Sequence, residues 1–224
     1  MNSRVVISSL ALLLPWSLRR RLLVRGCGYC IHKTARIGFS LVCPNRLEMG
    51  PGSRIGHLTA CRPGVELLRL GDHAQIGNLN WITATPLKDS AFFSDVQDRR
   101  PELLVHDEAA ITNRHYLDCT ASVSIGRFSI FAGCHSQIMS HSIDLAKCRQ
   151  GATPISIGEF CFVGTASLLL PGAGLPDYSV LGANSLLNKA YTDPYFLYAG
   201  SPARPVKPLS AEMKYFTRAA GVVE

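Results

Sequence analysis

An all-β solenoid of six-residue repeats is the fold class this sequence predicts, and three observations carry it. Small aliphatic residues recur at strict six-step intervals, Gly repeatedly follows them, and Gly and Pro are spread along the chain rather than gathered into linkers. The clearest ladder is Ile157, Val163, Leu169, Leu175, Leu181 and Leu187, with Gly158, Gly164 and Gly182 beside three of its rungs. An earlier ladder runs Ile37, Cys43, Met49, Ile55, Cys61, Leu67, slips in phase, and continues through Leu70, Ile76 and Ile82. Ile111, Leu117 and Val123 resume it, and Ile125-Gly126 begins a further phase.

A period of six matches neither the helical 3.6 nor the strand period of two as a sole constraint. It does match a short strand plus a turn: one aliphatic side chain points inward, two or three residues bridge, and Gly permits a tight corner. Three such units close a triangular coil, and coils stack through backbone hydrogen bonds. In a chain 47% hydrophobic, one ladder of six could arise by chance; two with Gly at the same offset argue against chance.

The organisation follows from where the period holds. Residues 1–36 form a basic, helix-prone segment, 37–207 the repeat domain, and 208–224 a tail expected to be helical. A loop over about 83–104 leaves the solenoid, because Phe92 to Glu102 break the pattern with charges and aromatics.

Charge is uneven. The net +7 comes wholly from residues 1–36, which hold Arg4, Arg19, Arg20, Arg21, Arg25, Lys33 and Arg36 and no acid. Such a segment suits a membrane surface or an acidic partner. Nucleic acid is excluded for want of binding motifs and interleaved aromatics. Val5 to Leu14 is too short an apolar run to span a bilayer, and no cleavage site follows it. A helix starting near Pro15 would put Leu14, Leu18 and Leu22 on one face, either capping the repeat core or lying on anionic lipid at the inner face of a membrane.

Eight cysteines are present, but Cys27-Gly-Tyr-Cys30 is a lone pair with no second pair at metal-ligand spacing. Cys43 and Cys61 fall on the repeat phase as small apolar residues, which fits free buried thiols in a reducing cytoplasm. No metal site is expected. Of the seven histidines, His141 stands where a regular coil ends and the non-repeat stretch Leu145 to Pro154 begins, a place suited to catalytic groups. His135, six residues earlier, is the rival base, and Asp144 is a candidate to orient His141.

The pattern [LIV]-Gly-x4 over residues 37–207 resembles the hexapeptide-repeat proteins. That resemblance implies a left-handed parallel β-helix, an exception to the right-handed crossover rule, and a homotrimer with active sites between subunits. The stretch Asn113, Asp118, Ile125-Gly126, Ser140-His141-Ser142 and Ile157-Gly158 is similar to the branch of maltose, galactoside and nodulation-factor O-acetyltransferases. It implies His141 as general base, with Asn113 and Asp118 in the acceptor pocket. Pro171-Gly172, Gly182-Ala183-Asn184, Asn188-Lys189 and Gly200 to Lys207 resemble the closing motif that binds acetyl-coenzyme A. By that resemblance Thr165 and Ala183 contact the pantetheine arm, Asn188 and Lys189 the adenosine, and Arg204 and Lys207 its phosphates. Asn188 departs from the pattern, which has Thr there.

The chemistry implied is acetyl transfer to a carbohydrate hydroxyl, as in exopolysaccharide, capsule or lipid-linked glycan precursors. An alcohol needs a base to take its proton as it attacks a thioester, and the oxyanion needs a donor such as a main-chain N–H. A non-sugar acceptor such as serine or a xenobiotic, and a non-catalytic scaffold, are the competing readings.

Overall fold

The computed structural model describes residues 3–88, 92, 93, 96 and 98–223. Its body is a parallel β-helix with three faces, two sheets of seven strands and one of nine, joined at three corners. It is the left-handed solenoid expected from the repeat. The final ladder occupies two complete coils: Ile157 pairs with Leu175, Val163 with Leu181, and Leu169 with Leu187. We call the faces A, B and C, in the order these three pairs are met along the chain.

Side chains from all three faces fill one continuous core. Met49, Leu70, Val105, Ile125, Ile157 and Leu175 stack inside face A, and Ile82, Leu117, Ile138, Leu169 and Leu187 inside face C, all nearly or fully buried. Burial of this kind contributes about 1.5–3 kcal/mol per large aliphatic side chain. Cys43 and Cys61 are buried free thiols. Two rungs of the early ladder shift: Val42, not Cys43, pairs with Cys61, and Leu70, not Leu67, pairs with Met49. The cause of the second shift is a coil lengthened around Pro63–Glu66, so the chain reaches face A three residues late and forms the longer strand Leu67–Leu70.

Corners require left-handed backbone, and many non-glycine residues supply it. Phe128, Phe160, Tyr178 and Tyr195 all have positive φ at the corner between A and B, and their rings stack at centroid distances of 4.6, 5.3 and 4.8 Å. The tail folds back on this stack, Phe216 meeting Tyr178 and Tyr195 edge-on. Helix in the tail is confined to one short element, Lys214–Thr217.

The N-terminal segment contains two helices where one was expected, α1 (Ser3–Ala11) and α2 (Trp16–Cys27), and the first strand, Cys30–Ile31, precedes residue 37. The pair closes the first coil. Backbone N–H groups of the first coil donate to the second, as Arg36 does to Ser53 and Gly38 to Ile55, while carbonyls of the first coil, those of Gly38 and Ser40 among them, face the helices. Donors from the helices meet them. Arg19, 6% exposed, donates to Gly38 (2.6 Å) and Ser40 (2.7 Å), Arg20 donates to Ile31, and the Ser8 hydroxyl donates to Val42. The expected leucine face is therefore turned: Arg19, Leu23 and Cys27 are buried against the solenoid, while Leu14 and Leu18 are exposed. An edge of unpaired carbonyls is covered by charged donors rather than by an apolar stripe alone.

Candidate active site

After the strand Gln137–Met139 on face C the chain leaves the solenoid as an antiparallel hairpin, His141–Asp144 against Arg149–Ala152. At the point of departure, the corner between C and A, His141 Nδ1 lies 2.7 Å from Asp118 Oδ2. Asp118 ends the neighbouring strand Tyr116–Asp118 and is paired with Met139, two residues before His141. It is 2% exposed. Its carboxylate also accepts from the Ser140 N–H (2.9 Å), the Ser140 hydroxyl (3.0 Å) and the Thr120 hydroxyl (2.6 Å).

Those donors decide the charge states. Burial alone would raise the Asp118 pKa, but hydrogen bonds from His141, Thr120 and Ser140 outweigh it and hold the carboxyl below its ordinary value. The hydrogen bond to Asp118 in turn raises the His141 pKa above 6.5, against partial burial and the charge of Arg99. With Nδ1–H committed to Asp118, neutral His141 carries its lone pair on Nε2, which has no hydrogen-bond partner among the described residues. The side chain is 31% exposed.

The loop between faces C and A, which leaves after Trp81–Thr83 and returns at Glu102–Val105, folds back over this corner. Phe93 is buried and meets the His141 ring edge-on at 6.1 Å. Arg99 anchors the loop: it donates to the carbonyls of Thr85 (2.6 Å), Pro86 (2.9 Å) and Thr120 (3.1 Å), with its guanidinium 4.4 Å from the Phe93 ring centroid. Thr85 N–H donates to the same Thr120 hydroxyl that bonds Asp118. Between loop and hairpin lies a cleft of about 480 Å³, lined in part by Val96, Arg99, Glu102, Ser122 and Ala152, the last being the cross-strand partner of His141.

The other residues singled out from sequence fall in different places. Asp118 does not reach the cleft surface; it lies buried beneath His141. Asp144 does not orient His141, because it sits at the hairpin turn and accepts from the N–H groups of Ala146 and Lys147. His135 is a corner residue with φ of 61° and no carboxylate partner among the described residues. Asn113 is exposed at the corner between B and C, where its side-chain oxygen accepts from the Asn78 N–H.

Thr165 and Ala183 continue that same corner, beside Gly133 and Cys134. Gly133 has φ of 72°, and a Cβ there would stand 2.5 Å from that of Thr165, so this corner admits close approach only without a side chain. Arg204 lies nearby, opposite Ala199, which packs on Gly182. Asn188 and Lys189 instead follow the last face C strand, on the His141 side, and Lys207 is opposite Leu197, at the other end of its hairpin strand. Within one chain, Thr165, Ala183 and Arg204 thus lie at one edge of face C, Asn188 and Lys189 at the other, and Lys207 at the far side of face B.

No family model matches the chain, and no curated protein matches it. Among solved structures, the polysialic acid O-acetyltransferase OatWY superposes with a TM-score of 0.60 at 18% identity, covering 80% of this chain and 84% of that one. AntD, an N-acyltransferase from Bacillus cereus solved with dTDP-4-amino-4,6-dideoxyglucose and coenzyme A, gives a TM-score of 0.55 at 13% identity, covering 86% and 89%. The chain shares its fold with an O-acetyltransferase and an N-acyltransferase.

Proposed function

We propose that this protein is an acetyl-coenzyme A-dependent O-acetyltransferase acting on a carbohydrate hydroxyl, with His141 as general base and Asp118 as the residue that orients it. The observation that carries the reading is the His141–Asp118 pair at a loop-covered corner, with Nε2 turned away from its partner. In the step proposed, Nε2 takes the proton of the acceptor hydroxyl as its oxygen attacks the thioester carbonyl. The acyl oxygen bond forms, the carbon–sulfur bond breaks, and the imidazolium returns the proton to the departing thiolate.

Acetyl-coenzyme A is a substrate here, and the corner between B and C suits its extended arm. Gly133, Thr165 and Ala183 line a smooth, exposed run along stacked coils, with Arg204 beyond them. That run and His141 lie on opposite edges of face C, so a site combining them needs a second copy of the chain, in keeping with a homotrimer. The solved relatives lend support: OatWY is an O-acetyltransferase of polysialic acid, and AntD was crystallised with coenzyme A and a nucleotide sugar. A glycan precursor at the inner face of a membrane would also suit peripheral contact through residues 1–30.

The AntD likeness favours one alternative, acyl transfer to a sugar amine. A thiol-release assay with acetyl-coenzyme A against hydroxyl and amino sugars, with serine as the non-sugar control, separates the two. Turnover with hydroxyl sugars, lost in His141→Ala, is the expected result; near-normal turnover in that variant would remove His141 from its role, and none with any acceptor would favour a scaffold.

A further inference from the structure

We propose that the outer face of the α1–α2 hairpin is a docking surface for an anionic lipid bilayer. The proposal deepens the reading above by naming the surface and the partner, and it rests on a division among the arginines. Arg19 and Arg20 are committed to carbonyls of the first coil. Arg21 and Arg25 are exposed. With Leu18 they follow the spacing i, i+3, i+7 and share one face of α2, opposite the buried Arg19, Leu23 and Cys27.

At the tip of the same hairpin, Leu10, Leu13 and Leu14 are 62%, 83% and 37% exposed, and Leu18 is 49% exposed. Isolated exposed leucines need no explanation, but four around one turn, edged by two arginines, form an amphipathic patch. Three occupants can be weighed. A second copy docked face to face would set arginine against arginine, since the first acid in the chain is Glu48. A nucleic acid would meet apolar side chains at the centre of the patch. An anionic bilayer satisfies both parts, acyl chains taking the leucines and lipid phosphates the guanidinium groups. No helix among the described residues is long and apolar enough to cross a membrane, so the contact is interfacial.

The test is co-sedimentation of the full chain with vesicles of phosphatidylcholine alone or mixed with phosphatidylglycerol, at low and high salt. Binding to the mixed vesicles is expected to exceed binding to neutral ones by about tenfold and to weaken with salt. The pair Leu13→Ser/Leu14→Ser and the pair Arg21→Glu/Arg25→Glu should each abolish that difference with unchanged thermal unfolding, because all four positions are exposed. No preference for anionic vesicles, or equal binding by both variants, overturns the proposal. So does a change in oligomeric state caused by the variants without any vesicle binding, which would give the patch to a second copy. Failure of acetyl transfer with intact vesicle binding would count against the enzymatic reading alone.

Discussion

His141 and Asp118 are 23 residues apart in sequence and 2.7 Å apart in space, joined because Asp118 and Met139 are neighbours across adjacent coils. The coil register, not the local sequence, assembles the pair. A carboxylate held by four donors cannot swing away, so the imidazole is fixed in one tautomer.

The first prediction concerns that tautomer. The activity should rise with pH through a pKa above 6.5, since the base must be neutral and Asp118 favours its protonated form. Asp118→Asn removes that bias, so the acid limb should move to lower pH while the maximal rate falls by about 10²-fold or more. A pH–rate profile of kcat/KM for both proteins checks this; an unmoved limb would separate Asp118 from the base.

Loss of the proposed base itself should be larger. His141→Ala is expected to lower kcat by about 10²–10⁴-fold with little change in the KM for acetyl-coenzyme A.

Arg99 ties the loop to the carbonyls of Thr85, Pro86 and Thr120 and holds Phe93 on His141. Arg99→Ala should loosen that wall, raising KM for the acceptor more than for acetyl-coenzyme A. Lys at the same position should rescue it poorly, because one ammonium cannot reproduce a forked donor. Steady-state kinetics in both substrates provide the measurement.

His115 gives a stability signature apart from the site. It is 2% exposed, and burial lowers its pKa to about 4. Thr112 Oγ1 lies 3.0 Å from Nε2, and Nδ1 accepts from the Ser136 N–H, so a second ring proton would face a donor. The unfolded chain takes up that proton near pH 6.5. Stability should therefore be complete above pH 6.5 and fall towards pH 4, by at most roughly 3 kcal/mol. Urea denaturation across that range should show the slope, reduced in His115→Gln.

Arg19→Leu should destabilise the chain by about 2–4 kcal/mol in the same assay, since it leaves the carbonyls of Gly38 and Ser40 buried without their donor.

The solenoid was legible because six-step spacing is written directly in the chain: the rungs from Ile157 to Leu187 stand where the count puts them. Asp118, expected in the acceptor pocket, could not be read as the partner of His141, because Asp118 and Met139 lie 21 residues apart where the regular coil, as between Ile157 and Leu175, takes 18. Once Leu117 and Ile138 are known to be stacked rungs, the pairing follows. Phe93 and Arg99 carried no signal, since a loop without period gives no indication of what it folds onto. The reversed helix face left no clue in the apolar spacing, since the contacts that turn it are donations from Arg19, Arg20 and Ser8 to carbonyls of the first coil.

The stacking of coils also makes the protein a graduated column. Each coil raises the next by about 4.8 Å, and the strand leading to His141 is the fifth on face C counted from Leu41–Val42. His141 thus stands about 19 Å above the capped end, plus the thickness of the helical layer. Inserting or deleting one whole coil between cap and hairpin would change that height by a single fixed step while leaving both ends intact.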